Sequence, residues 1–286
     1  MWQETSRVGV LAVLLAAVAV PAPAAVWRVN CDPAAFADFT TITGAVTSGS
    51  VVDGDTVVVE ICGVAPFVYH ELVALTGWTE LHLVAADPAY FGSRTEGVGG
   101  IGPFPVIIDG TNLMGDCVTI TAGTDVEIHG FRSRRCNGSG LEIVDSVRTV
   151  VEGNQIQRAG RGIRDSGGTD SRLTGNRIEQ AQFEGILLED CSQCQVADNV
   201  ATTDAEAIRL DGGTACVVNN NDALSAGPEA IDVTAGTAHR IERNRAVGNA
   251  NAIVIGPLAT DTDVVGNDIS TAIGDLGVNT ELLHNF

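Results

Sequence analysis

Lysine is absent from the 286-residue sequence, so all 16 basic residues are arginine. This absence excludes mechanisms that need a lysine nucleophile, a Schiff base or a lysine general base. The sequence has 36 acidic residues, so its formal net charge is -20. Because this charge repels a phosphate backbone, we expect no nucleic-acid partner. Aromatic residues are only 5% of the chain, and long Leu/Ala/Glu/Lys stretches are missing, whereas Gly, Val, Ile, Thr, Asn and Asp dominate. The composition favours an all-β fold rich in turns.

Apolar runs of membrane-spanning length are also missing. The run from Val8 to Val20 has 13 residues, follows a short polar start with Arg7, and precedes Pro21-Ala-Pro-Ala-Ala25. It is too short to cross a bilayer, so residues 1–25 are predicted to be a signal peptide, with cleavage before Ala25. An uncleaved anchor is the alternative. We expect a protein secreted to the periplasm or the extracellular space, with no membrane span in its mature form.

An internal repeat of 22 or 23 residues predicts the fold. Six segments begin Gly140-Leu-Glu-Ile, Gly162-Ile-Arg-Asp, Gly185-Ile-Leu-Leu, Ala207-Ile-Arg-Leu, Ala230-Ile-Asp-Val and Ala252-Ile-Val-Ile. Each segment ends in an asparagine at the same position of the repeat: Asn154, Asn176, Asn199, Asn221, Asn244 and Asn267. Apolar residues alternate within each segment, as Ile186 and Leu188 do, which is typical of short strands. Such strands cannot bury a face alone, so the repeats are expected to stack as coils of a solenoid.

These repeats resemble the right-handed parallel β-helix family, the pectin-lyase-like superfold. The resemblance rests on apolar-x-apolar followed by Val-x-Gly-Asn or its equivalents, and it covers Val118 to Ile269. It implies an all-β right-handed parallel β-helix, with the repeated Asn stacked as a structural ladder. It also implies a short N-terminal capping helix in the segment that starts Asp38-Phe-Thr-Thr-Ile. We assign residues 26–116 to the cap and irregular first coils, and residues 117–286 to the regular repeats.

Outward positions of the strand that opens each repeat carry the candidate chemistry. Glu189 and Asp211 become neighbours on successive coils, and Arg209 faces the same side. Three glutamates immediately precede successive repeat starts and would form a column of carboxylates about 4.8 Å apart at the backbone; they are Glu184, Glu206 and Glu229. Two interpretations stay open. The carboxylates either form a solvated acidic face, or they hold Ca²⁺ or include a carboxylate of raised pKa that serves as acid or base.

The family resemblance implies a possible activity at these positions. Polysaccharide lyases of this fold use carboxylates, calcium and an Arg or Lys base on the same face, which implies Arg209 as base with Glu189 and Asp211 beside it. Glu184, Glu206 and Glu229 are then the implied calcium ligands. The polygalacturonase-type signatures are not found, and Arg177-Ile-Glu lacks the lysine of Arg-Ile-Lys. We therefore predict an exported protein that binds polysaccharide or cell-surface glycan, with a calcium-assisted lyase of uronate-containing polysaccharides as the alternative.

Seven cysteines leave an odd thiol in an exported protein, where disulfides form. Cys31 with Cys62 and Cys117 with Cys136 are predicted pairs. Cys194 and Cys216 share a repeat position on successive coils, within disulfide range, and His239 continues their column. The alternatives are an inward stack or disulfide, and a zinc site formed by Cys191, Cys194, Cys216 and His239. A periplasmic metal-handling factor is a third function class if this column binds metal.

Two further positions depart from the repeat. Asp165 stands where the other repeats have an apolar residue, and a buried unpaired carboxylate is costly, so the strand is expected to end before Gly167. The last residues, from Leu282 to Phe286, show no clear cap. An exposed strand edge invites pairing, so we expect that an oligomer could form through the C-terminal coil.

Overall fold

The computed structural model describes residues 24–62, 68–86 and 106–286. The predicted signal peptide lies outside the described residues except for Ala24 and Ala25. The described chain is an all-β, right-handed parallel solenoid of about nine turns, as the repeat predicts. In these residues, no helix combines the length and the apolar character needed to cross a membrane.

The strands are short and follow one another at the repeat spacing. The first part of the chain forms β1 (Val26–Val29), α1 (Ile42–Thr47), β2 (Thr56–Val59), β3 (Val73–Thr76), β4 (His82–Ala85), β5 (Ile107–Asp109), β6 (Val118–Thr121), β7 (Glu127–His129), β8 (Arg132–Arg134) and β9 (Ser139–Val144). The middle part forms β10 (Val150–Glu152), β11 (Gln155–Gln157), β12 (Arg161–Ser166), β13 (Arg172–Thr174), β14 (Arg177–Ala181), β15 (Ile186–Glu189), β16 (Gln195–Ala197), β17 (Val200–Thr203), β18 (Ile208–Asp211) and β19 (Val217–Asn219). The last part forms β20 (Asp222–Ser225), β21 (Glu229–Thr237), β22 (Arg240–Glu242), β23 (Arg245–Val247), β24 (Asn251–Thr260), β25 (Asp263–Val265), β26 (Asp268–Ile269), β27 (Ala272–Asp275) and β28 (Glu281–Leu283).

Three parallel sheets form the walls of the solenoid. The eleven-stranded sheet has the order β1-β2-β4-β7-β10-β13-β16-β19-β22-β25-β28, the eight-stranded sheet β26-β23-β20-β17-β14-β11-β8-β5, and the nine-stranded sheet β27-β24-β21-β18-β15-β12-β9-β6-β3. The repeat sets the register, since Ile163 pairs with Ile186, and Ile186 with Ile208. Alternate residues of each strand point inward, which buries a continuous apolar core between the sheets.

The predicted asparagine ladder is confirmed. From Asn154 to Asn267, the Nδ2 atom of each asparagine donates to the Oδ1 atom of the next one at 2.9–3.2 Å. The last acceptor is Asn285, which is not among the six asparagines found in the sequence repeats. The same side chains also donate to backbone carbonyls of the sharp turn, as Asn199 does to Leu173 O at 2.8 Å. The ladder therefore satisfies buried polar groups at the turn and has a structural role.

Both predicted N-terminal pairs are disulfides, Cys31–Cys62 and Cys117–Cys136. For Cys194 and Cys216 the structure has an inward stack and no disulfide, because these two residues and Cys191 are buried free thiols. The helix α1 falls in the segment expected to hold the cap, and its N-cap Thr41 accepts from Gly44 N at 2.9 Å. A capping role for this helix stays a prediction.

Candidate functional site

The outer surface of the nine-stranded sheet carries two columns of charged side chains. Register places Glu142 beside Arg164, Arg164 beside Leu187, and Leu187 beside Arg209, which in turn lies beside Asp232. The second column places Ser166 beside Glu189 and Glu189 beside Asp211. We call the following residues the acidic face: Glu142, Arg164, Glu184, Glu189, Glu206, Arg209, Asp211, Glu229 and Asp232.

Arg164 joins carboxylates on both sides of its own strand. Its Nη1 atom lies 2.5 Å from Glu142 Oε1, and its Nε atom donates to Glu189 Oε2 at 2.5 Å. Glu142 also accepts from Ser139 Oγ at 2.8 Å, and it is buried. Burial raises the pKa of Glu142 above its ordinary value, despite the opposing effect of Arg164. The arginine thus spans three coils and neutralises charge that the pleat brings together.

Arg209 lies among three carboxylates at longer distances. Asp211 Oδ2 is 3.5 Å from Nη2, Glu184 Oε1 is 3.8 Å from Nη1, and Asp232 Oδ2 is 3.9 Å from Nε. The Nε atom is buried and has no hydrogen-bond partner among the described residues. The structure therefore brings Arg209 and Asp211 together, while Glu189 is held mainly by Arg164. Their catalytic roles stay predictions.

The column of glutamates gives no support to the predicted calcium site. Glu184 is already paired with Arg161, whose Nε atom lies 2.7 Å from Glu184 Oε2, and the Arg161 guanidinium stacks 5.4 Å from the centre of the Phe183 ring. Burial and the charge of Glu206 raise the pKa of Glu229. In the part of the chain that the structure describes, the group of side chains spaced to hold a metal lies elsewhere and does not include these glutamates.

Asp232 is an acidic residue to which the sequence analysis assigned no role. Burial raises its pKa to about 6, and Glu206, Glu229 and Asp211 add to the rise, while Arg209 opposes it. A carboxyl of this kind changes charge near neutral pH, which is a property of groups that exchange protons or bind ligands. The sequence signals the position of Asp232 only through the repeat spacing, which sets it beside Arg209 on the next coil.

A second cluster lies inside the solenoid, at the corner where the nine-stranded sheet turns into the eleven-stranded sheet. The strand β12 ends at Ser166, before Gly167 as expected, but it continues through Asp165, which pairs in register with Ile143 and Leu188 and points into the core with no exposed surface. Its Oδ1 atom has no hydrogen-bond partner among the described residues. A Cβ atom on Gly168 would lie 2.1 Å from that oxygen, so glycine is needed to make room for the carboxyl group.

The thiols of Cys191 and Cys194 lie beside Asp165. Cys194 Sγ lies 3.9 Å from Asp165 Oδ2, and Cys191 Sγ lies 3.1 Å from Asp165 O. The ligand atoms of Asp165, Cys191 and Cys194 all lie within 4.8 Å of one another, and Cys216 hydrogen-bonds to Cys194. The predicted zinc set is therefore only partly assembled: His239 uses its Nδ1 atom to accept from Cys216 N at 3.3 Å and is not part of this group.

Burial and hydrogen bonding shift the pKa values of the cluster in opposite directions. Thiols of Cys191 and Cys216 donate to Cys194, which lowers the pKa of Cys194, and the same bonds raise the pKa of both donors. Burial, with the neighbouring charge of Cys194, raises the pKa of Asp165 to about 7. Burial also lowers the pKa of His239, which favours its neutral form. Sequence analysis noticed both Asp165 and the cysteines but did not place them together.

Comparison with known proteins identifies relatives of the fold. Residues 119–282 match the family model described as "Periplasmic copper-binding protein (NosD)". No curated protein matches the chain in sequence.

Two solved structures illustrate the likeness. An alginate lyase from Paenibacillus sp. str. FPU-7 has 12% identity and a TM-score of 0.55, over 91% of this chain and 99% of that one. The ORF18 protein of Geobacillus virus E2 has 13% identity and a TM-score of 0.56, over 91% of this chain and 60% of that one. At such identities the likeness shows the pectin-lyase-like β-helix fold alone.

Proposed function

The chain belongs to the NosD family, and from that premise we propose that it is an exported solenoid that binds carbohydrate through its acidic face. The family description places its members in the periplasm, and the apolar run before Ala25 supports export. Binding is favoured over catalysis because the polygalacturonase-type signatures are not found in the sequence.

The observation that carries the proposal is the unsatisfied hydrogen-bonding capacity at the centre of the acidic face. The Arg209 guanidinium holds its carboxylates only at 3.5–3.9 Å, and its side chain is 30% exposed, so its terminal nitrogen atoms can reach a ligand. Asp211 beside it is a partly exposed acceptor. Sugar hydroxyls both donate and accept, so an adjacent guanidinium and carboxylate can each bond to one ring.

Charge restricts the class of glycan. Carboxylates outnumber guanidinium groups across the acidic face, and the whole chain carries a formal net charge of -20. A uronate polymer would meet like charge along this surface, while a neutral polymer, or one with free amino groups, would not. We therefore propose a neutral or amino-sugar polysaccharide as the ligand.

The test is calorimetric titration with neutral, amino-sugar and uronate oligosaccharides, against the wild-type protein and Arg209→Gln. We expect binding of a neutral or amino-sugar oligosaccharide and a loss of at least about tenfold in affinity for Arg209→Gln, the magnitude of a charge-assisted hydrogen bond. Arg245→Gln is the matched control, since Arg245 pairs with Asp222 on the outer surface of the eight-stranded sheet. Equal affinity of Arg209→Gln and wild type, or no binding of any oligosaccharide, contradicts the proposal.

A polysaccharide lyase is the second candidate, with Arg209 as base and Glu189 and Asp211 beside it. It is favoured by the carboxyl of Asp232, whose pKa of about 6 lets it exchange a proton beside Arg209 near neutral pH. Of its predicted calcium ligands, Glu184 is paired with Arg161. Ultraviolet absorbance of unsaturated products, formed from uronate polysaccharides by the wild type and not by Arg209→Gln, would support this candidate. Absence of products would contradict this candidate.

Copper, which the family description names, requires different donors. The acidic face offers oxygen atoms and guanidinium groups, whereas copper(I) prefers thiolates. The free thiols of the described chain lie inside the solenoid.

A further inference from the structure

A cavity of about 380 Å³ opens at the corner where the eight-stranded sheet turns into the nine-stranded sheet. We call it the corner pocket. Its walls come from successive coils and are residues 110–114, 135–137, 158–160 and Gln182. Cys136 lines the cavity and is joined by a disulfide to Cys117, which holds this wall in place before any ligand arrives. The volume is in the range of small-ligand sites.

The lining of the corner pocket carries positive charge only. Its charged residues are Arg135 and Arg158, and no described aspartate or glutamate lines it, although the chain has 36 acidic residues. The carboxylate of Asp109 lies 3.9 Å from Arg135 Nη1, but it is paired with Arg134 at 2.7 Å. The corner pocket is therefore a cationic site on an acidic protein, and its local field attracts a small anion.

Both guanidinium groups of the corner pocket keep donors for a ligand. Arg158 Nε donates to Gln180 Oε1 at 3.1 Å, which is a neutral partner, and Arg158 forms no ion pair within the described ranges. Arg135 Nη1 donates to Thr111 Oγ1 at 3.4 Å, and the Arg135 side chain is 48% exposed. Each guanidinium has five N–H donors, so most of them stay available.

Arg135 and Arg158 occupy the same position on successive coils. Register pairs Arg134 with Gln157, and the next residues along the chain are these two arginines. Both have a left-handed backbone with φ of 55°, so their side chains leave the turn in the same direction. Adjacent coils are about 4.8 Å apart. One phosphate or carboxylate group can therefore accept hydrogen bonds from both guanidinium groups.

We propose that the corner pocket binds a ligand of monosaccharide size through an oxyanion group that bridges Arg135 and Arg158. The phosphate of a sugar ester and the carboxylate of a sugar acid share this chemistry. Leu113 and Asn137 line the rest of the cavity and contact the body of the ligand. Binding makes and breaks no covalent bond. No residue of the acidic face lines the corner pocket, so this site is independent of carbohydrate binding at that face.

Three variants separate this site from the rest of the surface. Arg158→Gln removes one of the two charges at an exposed position. Arg243→Gln is the matched control, because Arg243 is also exposed, has φ of 54°, forms no ion pair within the described ranges and does not line the corner pocket. Arg209→Gln alters the acidic face and leaves the corner pocket intact.

The experiment is calorimetric titration of the full chain with glucose 6-phosphate, glucuronate and glucose at low salt. We expect both anions to bind at one site per chain, with the phosphate ester tighter because it carries nearly two negative charges at pH 7. The two anions thus distinguish phosphate from carboxylate as the source of the oxyanion. Arg158→Gln should weaken their binding at least about tenfold, while Arg243→Gln and Arg209→Gln should leave it unchanged. Added salt should weaken it in every protein that binds.

Three results would overturn the proposal. They are a wild-type protein that binds neither anion, a wild-type protein that binds glucose as tightly as the anions, and equal anion affinity of Arg158→Gln and wild type. Because the first two results come from the wild type alone, they decide the matter even if a variant does not fold. Loss of neutral-oligosaccharide binding in Arg209→Gln reports on the acidic face only, so the two proposals succeed or fail separately.

Discussion

The backbone nitrogen of Ala25 donates to the carboxylate of Asp55, with 2.7 Å between Ala25 N and Asp55 Oδ1. Asp55 is buried, and it also accepts from Trp27 Nε1 at 2.8 Å and from Val52 N at 3.0 Å. Although burial alone would raise the pKa of Asp55, these three hydrogen bonds lower it below the ordinary value. Asp55 thus anchors the first strand at the residue that cleavage is predicted to expose.

Processing should therefore produce a mature chain that starts at Ala25. Cleavage there would convert the bonded amide into an ammonium group beside a carboxylate, and charge-assisted hydrogen bonds are the stronger kind. Intact-mass measurement and N-terminal sequencing of the exported protein check this. A mature chain starting at any other residue would contradict it.

Asp55→Asn should destabilise the mature protein by about 1–3 kcal/mol, the cost of weakening hydrogen bonds to a buried charged acceptor. Because its pKa is lowered in the folded state, Asp55 contributes stability above the ordinary Asp pKa, and this contribution is lost as pH falls through the lowered value. Urea unfolding at neutral and acidic pH measures it. Asp53→Asn is the control, since Asp53 is exposed and accepts one bond from Thr79 N. Equal effects of the two substitutions at neutral pH would show that Asp55 is not an anchor.

Arg164→Ala should cost about 3 kcal/mol of unfolding free energy, because it leaves the buried Glu142 without its counter-charge. Arg245→Ala breaks an exposed pair with Asp222 and should cost less than about 1 kcal/mol. Chemical unfolding of both variants under the same conditions gives the comparison. If the two losses are the same, the bridge between Glu142 and Glu189 does not hold the coils together.

Asp232 should make the protein less stable as pH rises toward neutral. Its pKa is about 6 when folded and lies near 3.8 when unfolded, so the folded state keeps a proton that the unfolded state has lost. Stability from this group is full below pH 3.8 and is lost as pH rises through about 6. Asp232→Asn removes this dependence, so the variant should be more stable than wild type at pH 7 by about 2 kcal/mol. Thermal unfolding from pH 4 to pH 8 measures the difference.

The matched control for Asp232 is Asp222→Asn, which alters an exposed aspartate paired with Arg245. It should leave the pH profile of the wild type unchanged. A profile of Asp232→Asn that runs parallel to that of the wild type would mean that Asp232 ionises as an ordinary surface carboxyl.

Asp165→Leu should stabilise the metal-free protein by about 1–3 kcal/mol, because it replaces a buried carboxyl, whose Oδ1 atom has no hydrogen-bond partner among the described residues, with the residue type of its register neighbour Leu188. Urea unfolding of the metal-free protein tests this. Asp268→Leu, at an exposed strand position, should stay within about 0.5 kcal/mol of wild type. A destabilised Asp165→Leu would show that the carboxyl group supports the metal-free core.

The repeat made most of the solenoid predictable. The spacing of Ile163, Ile186 and Ile208 sets strand period and register together, because each strand pairs with its own equivalent one coil away. The spacing of the repeated asparagines likewise predicted the ladder. The inward position of Asp165 was not predicted, because a buried carboxylate is costly, whereas the pleat of β12 continues through Asp165 to Ser166.

The sequence by itself determined which residues share a column, because coils of nearly constant length bring positions 22 or 23 residues apart into register. Only the tertiary structure decided which of those neighbours interact. Arg164 bridges Glu142 and Glu189 while Arg209 stays loosely held, and Cys194 contacts Asp165 and two thiols without a disulfide to Cys216. Such pairings depend on side-chain direction and on contacts between successive coils, and these are properties of the folded chain that no single repeat contains.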